Sequence, residues 1–107
     1  MNKRGLLYIL ENQVPVPTDN ILQWGRWMEN PSNKQLALTK INGLRVSTLF
    51  LGVDNQFTEG QPVLFETIVF RENQPIDEYC CRYYTWDEAK AGHDAIVELI
   101  KTQKVDK

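Results

Sequence analysis

A chain of 107 residues can bury, as one domain, roughly two thirds of the surface its unfolded form exposes; with 42% hydrophobic and 24% charged residues and three Trp, it is not a disordered sequence. Apart from Lys3-Arg4 its 12 basic residues are scattered singly among 14 acidic ones, with no block that could track a phosphate backbone, so nucleic-acid binding by a basic stripe is disfavoured. Apolar runs are too short for a membrane span, Met1-Asn2-Lys3-Arg4 does not open a signal peptide, and the adjacent Cys80 and Cys81 would bridge only under strain, so a cytoplasmic protein with reduced thiols is expected.

Gly5 to Leu10 reads as a first, central strand, a near-continuous apolar run bounded by Glu11-Asn12. In Val14-Pro15-Val16-Pro17 each proline pushes its predecessor to extended geometry, which predicts a stiff connector before a helix starting at Thr18 or Asp19. Ile21, Trp24, Trp27 and Met28 then recur at helical spacing until Asn30-Pro31 ends the helix. Both tryptophans read first as core anchors, with ligand stacking by either as the alternative.

Leu36 to Ile41 and Leu44 to Leu51 flank Asn42-Gly43, the dipeptide best suited to a two-residue hairpin turn. Alternation puts Val46, Thr48 and Phe50 on one face and Arg45, Ser47, Leu49 and Leu51 on the other, with both faces expected to be at least partly covered. Gly52 to Gly60 has loop composition, and Val63 to Phe70 reads as the next strand. Arg71 to Asp77 breaks the pattern, and Tyr79 to Tyr84 is a weaker last strand. Thr85-Trp86-Asp87-Glu88 forms a capping box for a final helix, in which Trp86, Ala89, His93, Ile96, Val97 and Ile100 make an apolar stripe. Gly92 within it allows a close approach by a neighbour. The expected architecture is α+β: an antiparallel sheet of about five strands in the order β-α-β-β-β-β-α, with two helices packed on one face, in a single domain over 1–107 whose residues 103–107 fray.

Chemistry-bearing residues are few. The single histidine, His93, lies on the apolar stripe, where a buried imidazole bonded to a sheet residue is the plain reading and a general base beside the Gly52 to Gly60 loop the sharper one. Glu66 sits mid-strand on the face of Leu64, Ile68 and Phe70 and needs a partner, either Arg45 or Arg82, or else converges with Asp54 as a paired-carboxylate site. Two cysteines and one histidine cannot close a structural zinc site, no nucleotide-binding loop or zincin motif occurs, and no metal or cofactor is expected. Acidic residues outnumber basic ones seven to two between Glu72 and Glu98, which makes Asp87, Asp94 and Glu98 candidates for docking a basic partner.

Trp24-Gly25-Arg26-Trp27, Val46 to Asp54, Leu64-Phe65-Glu66-Thr67, Arg82 to Ala89 and Gly92-His93 occur in an order that resembles a family of small proteins encoded in bacteriophage and prophage genomes. The resemblance covers most of the chain. It implies a phage setting, in the host cytoplasm, and no established activity. In that family the aspartate matching Asp54 is often followed by histidine; here Asn55 follows, so an Asp-His pair is incomplete.

The leading expectation is a non-enzymatic phage accessory protein that binds a host or phage macromolecule and modulates host or defence machinery. The alternative is a small-ligand site or minimal hydrolase at Asp54, Glu66 and His93, with Thr67, Arg82, Trp24 and Trp86 as ligand contacts. Self-association as a structural protein is a third.

Overall fold

Residues 7–54 and 60–103 are described by the structure, a computed structural model. Expectations that fall on residues 1–6, 55–59 and 104–107, or on the side chains of Asp77, Glu78 and Gln103, lie outside the described residues.

Sheet-forming runs separated by short polar turns fold into three hairpins. The first joins β1 (Leu7–Glu11) to β2 (Val14–Thr18), the second β3 (Gln35–Ile41) to β4 (Leu44–Phe50), and the third β5 (Phe65–Arg71) to β6 (Gln74–Tyr83). Each turns on two residues with positive φ: Asn12-Gln13 at 52° and 71°, Asn42-Gly43 at 54° and 79°, and Glu72-Asn73 at 53° and 69°. That backbone suits the right-handed twist of the flanking strands. Only the Asn-Gly turn announces itself in the sequence.

The first hairpin corrects two expectations. Val14-Pro15-Val16-Pro17 is not a connector but strand β2. Glu11 and Val14 close a two-residue turn and exchange both backbone bonds, so in the alternating ladder Pro15 and Pro17 turn their nitrogens away from β1 and no bond is lost. Strand β1 is not central either. It pairs with β2, bridges from Leu7 to Val53 beyond the end of β4, and packs Tyr8 into the core cluster of Phe50 and Phe65. Likewise Arg71 to Asp77 does not break the sheet: it holds the third turn and the start of a ten-residue β6. Among the described residues the six strands therefore form a two-stranded sheet and a four-stranded antiparallel sheet ordered β3-β4-β5-β6, where one sheet of about five is expected.

Asn20 caps helix α1 (Ile21–Glu29) by accepting the Gln23 N–H at 3.0 Å, one residue beyond the expected start. Pro31 ends that helix as expected, then opens the one-turn α2 (Pro31–Lys34), where its missing N–H costs nothing. Helix α3 (Trp86–Gln103) starts from Thr85, whose hydroxyl accepts the Glu88 N–H at 3.1 Å; the Glu88 carboxylate reaches back to the N–H of Tyr84, one residue before the cap. Among the described residues no helix is long and apolar enough to cross a membrane.

Helix α3 crosses all four strands of the larger sheet, on the face of Val46, Thr48 and Phe50. Helix α1 reaches the same face through Trp27, whose ring stands edge-on to Phe50 at 5.6 Å. Phe50 meets Phe65 at 5.4 Å, and Phe65 meets Trp86 edge-on at 6.5 Å, so one aromatic row ties α1, β4, β5 and α3 together. Each such pair adds about 0.5–1.5 kcal/mol beyond its burial. The opposite face, on which no described helix packs, carries buried Ser47 and half-buried Leu49, Ile68 and Phe70, so the expectation of at least partial cover on both faces holds.

Gly52 couples the two sheets. Its carbonyl accepts the Tyr8 N–H at 2.9 Å and the Trp24 indole N–H at 3.0 Å. Its φ is +75°, and a Cβ there would stand 2.7 Å from the Met28 sulfur. Replacing Gly52 with Ala is expected to lower stability by at least about 1–2 kcal/mol, the cost of left-handed backbone alone. A urea midpoint that stays where it is would show that this junction carries no such constraint.

Candidate functional site

Asp54, Glu66 and His93, the trio of the alternative reading, do not form one site, and the plain readings of Glu66 paired with an arginine and His93 bonded to the sheet hold instead. Side chains alternate along β5, so Glu66 points to the uncovered face while its neighbour Thr67 points under α3. Glu66 accepts from the Arg82 guanidinium at 3.1 Å, across the β5–β6 pair, with the Cys80 thiol at 3.9 Å. His93 lies on the other side of the sheet, 2% exposed. Asp54 is also buried, four residues past the end of β4, and is hydrogen-bonded to neither of them. Of the ligand candidates, Arg82 belongs to Glu66, Thr67 to His93's side, Trp24 to the Gly52 carbonyl, and Trp86 to the aromatic row.

What His93 does assemble is a chain of hydroxyls. Its Nδ1 lies 2.8 Å from Thr48 Oγ1 and its Nε2 2.8 Å from Thr39 Oγ1. Thr48 Oγ1 lies 2.5 Å from Thr67 Oγ1, and the Tyr83 phenol donates to Thr67 at 3.1 Å. One direction of donation satisfies every member: Tyr83 to Thr67, Thr67 to Thr48, Thr48 to Nδ1, and Nε2–H to Thr39. This needs a neutral imidazole. Burial favours that form by holding the His93 pKa below its usual value, with Asp94 opposing the shift and Lys90 adding to it. Burial also raises the pKa of Tyr83, against the Thr67 hydrogen bond and with help from the Cys81 and Cys80 thiols. Gly92 makes room for the phenol: a Cβ there would overlap the Tyr83 ring.

The sequence reading named His93 and Thr67 and the close approach at Gly92, but not the hydroxyl chain as a unit. The available signal was register. Asn42-Gly43 fixes β3 against β4, which puts Thr39 beside Val46 and sends Thr39 and Thr48 to the α3 side.

The acidic face of α3 is partly neutralised within the helix. Asp94 lies 3.5 Å from Lys90 and Glu98 3.8 Å from Lys101, all exposed, while Asp87 sits in the first turn, where the helix dipole favours it. Among the described residues, no group of three His, Cys, Asp or Glu side chains is placed to hold a metal ion. Comparison with protein-family models, curated proteins and solved structures gives no match to this chain.

Replacing Thr48 with Val would leave Thr67 and His93 short of a buried partner and is expected to cost about 1–3 kcal/mol, read as a lower unfolding midpoint in urea. Because His93 titrates lower in the fold than in the unfolded chain, the unfolded chain binds its proton first as pH falls. The stability that His93 contributes is therefore complete above about pH 6.5 and is lost as pH falls from there through the lowered folded value. His93→Gln is expected to be less stable at pH 8 yet flatter between pH 7 and 5. A variant whose midpoint falls as steeply as the parent's would remove His93 as the source.

Proposed function

We propose that this chain is a non-catalytic binding protein that meets an acidic protein partner on the uncovered face of its four-stranded sheet. The observation that carries the reading is the chemistry of that face. Leu38, Leu49, Ile68 and Phe70 give it apolar ground. Around them, among the described residues, stand Lys40, Arg45 and Arg82 with the carboxylate of Glu66, a local excess of positive charge on a chain whose net charge is −2.

Arg45 is held in place for such a role. Its guanidinium stacks 4.5 Å above the Phe70 ring and donates to the Asn73 side chain at 3.2 Å, which presents a fixed planar cation beside an aromatic surface. Next to it lies an open groove of about 410 Å³ between the second and third turns, lined by Lys40, Leu44, Phe70 and Glu72 among others. The buried polar groups are meanwhile engaged with one another. The resemblance to phage-encoded proteins makes a host or defence protein the natural partner class. The acidic face of α3, which would select a basic partner instead, has two of its carboxylates beside lysines of its own.

Two variants of the whole chain separate these surfaces. Arg45→Glu combined with Ile68→Glu is expected to weaken binding of an acidic partner isolated from host lysate about tenfold or more, the equivalent of about 1.4 kcal/mol. Changing Asp87, Asp94 and Glu98 together to Lys should leave it intact. The affinity should also fall with added salt, since exposed charges are screened. If the helix variant loses the partner and the sheet variant keeps it, recognition belongs to α3; retention by both removes either surface.

A further inference from the structure

We infer that the groove between the second and third turns is a carboxylate site, in which Lys40 and Arg45 together seat one acidic side chain of a protein partner. This rests on the reading of the uncovered face as the surface for such a partner, and it names the group taken there.

Register brings the two cations together. Ile41 and Leu44 close the Asn42-Gly43 turn, and the next pair along the ladder is Lys40 opposite Arg45. In an antiparallel hairpin the doubly bonded closing pair is followed by one with no bond between its members, whose side chains stand closest. Like charges directly opposite each other at such a pair destabilise the sheet. Among the described residues no carboxylate forms an ion pair with either cation, so the free chain carries this repulsion.

Arg45 does not escape it by swinging into solvent. Its guanidinium is held above the ring of Phe70, its neighbour across β4 and β5, while Nη1 donates to the Asn73 side chain at 3.2 Å. The other N–H groups of the fork are left for a ligand.

Charge and lining decide the occupant. Glu72 also lines the groove and pairs with neither cation, so two positive groups and one negative group leave a single positive charge. One carboxylate balances that charge, whereas a phosphate dianion overshoots it beside Glu72. Ile41 and Phe70 add apolar wall, and Phe70 leads to Ile68, two residues back along β5 on the uncovered face. With about 410 Å³, the groove has room for an acidic side chain and the backbone beside it. A segment of a partner lying on the apolar ground of the face thus has its Glu or Asp directed to the two cations.

NMR titration of the full chain tests this with a capped peptide holding one glutamate among alanines and leucines, its glutamine twin, and inorganic phosphate, all at matched ionic strength. The glutamate peptide is expected to give saturable shifts at the Arg45 guanidinium and the Lys40 ammonium, the glutamine twin none, and phosphate weaker ones. Lys40→Glu should weaken the glutamate peptide about tenfold or more. At low salt the same variant should raise the urea midpoint above the parent's, with Lys40→Gln between them, because the cross-strand repulsion is relieved. A parent that leaves both cations unshifted overturns the proposal, as does a glutamine twin or phosphate that binds as tightly as the glutamate peptide. So does binding that survives Lys40→Glu, or a urea midpoint that falls from parent to Gln to Glu. Ile68 lies outside the groove, so a partner lost with Ile68→Glu alone would keep the wider face as the binding surface even where the groove fails.

Discussion

The contact on which the rest depends is the imidazole of His93 held between Thr48 and Thr39. It is a buried polar link between α3 and the sheet, beside the more exposed one from the Asn42 amide to the Ile100 carbonyl at 3.4 Å, and it lies where the apolar core is divided. Along β4 the covered side chains run Val46, Thr48, Phe50; along β5 they run Val69, Thr67, Phe65; along α3 they run Ile96, His93, Ala89. In each element a polar residue separates a member of one apolar cluster from a member of the other. Burying these groups costs free energy unless each finds a partner, and among the described residues no buried side-chain nitrogen or oxygen lacks one. The belt thus sets the position of α3 along the sheet. Shifting the helix by one turn would put an apolar side chain against two threonine hydroxyls and the imidazole against Val46 or Phe50.

Hairpin turns provide the second constraint. All three pairs of strands reverse over two residues with positive φ, and only one of the six turn residues is glycine. The other five, three of them Asn, accept a left-handed backbone that side chains disfavour. In return, register is fixed at both ends of the larger sheet. Thr39 and Thr48 arrive under α3 because Asn42-Gly43 fixes β3 on β4 from Ile41–Leu44 to Ala37–Thr48, and Thr67 arrives there because β5 pairs with β4 without a slip along its whole length. A slip of one residue would turn those hydroxyls to the uncovered face and bring Arg45 and Glu66 into the core.

These constraints explain which features were legible in the sequence. Helix α3 could be read because Thr85 and Glu88 mark its start and a stripe of apolar residues follows at helical spacing. The Asn42-Gly43 hairpin was equally plain. The first hairpin was hidden: Asn12-Gln13 lacks the glycine that advertises such a turn, and two prolines argue against a strand unless the ladder phase is known. That phase depends on pairing, which no local pattern reports. The plain readings of His93 as a buried imidazole bonded to the sheet and of Glu66 as the partner of Arg82 hold, while the alternative of a converging trio does not, for a related reason. Glu66 and His93 are both isolated polar residues in apolar runs, but whether they share a face depends on how α3 docks, and the sheet stands between them.

The same topology bears on where recognition can occur. A site for small-molecule chemistry needs polar groups that converge on an open space with donors and acceptors to spare. Here the buried polar groups of the sheet converge on one another, and the neutral imidazole has both nitrogens occupied. The uncovered face differs in kind. Its cations stand among apolar side chains on strands whose register is fixed from the opposite side, so the surface is pre-organised by a core in which it takes no part. Rigid placement of this sort reduces the ordering cost of association. Residues on this face can therefore change without disturbing the belt that holds α3, because the alternation of each strand separates the groups that make the fold from the groups available to a partner.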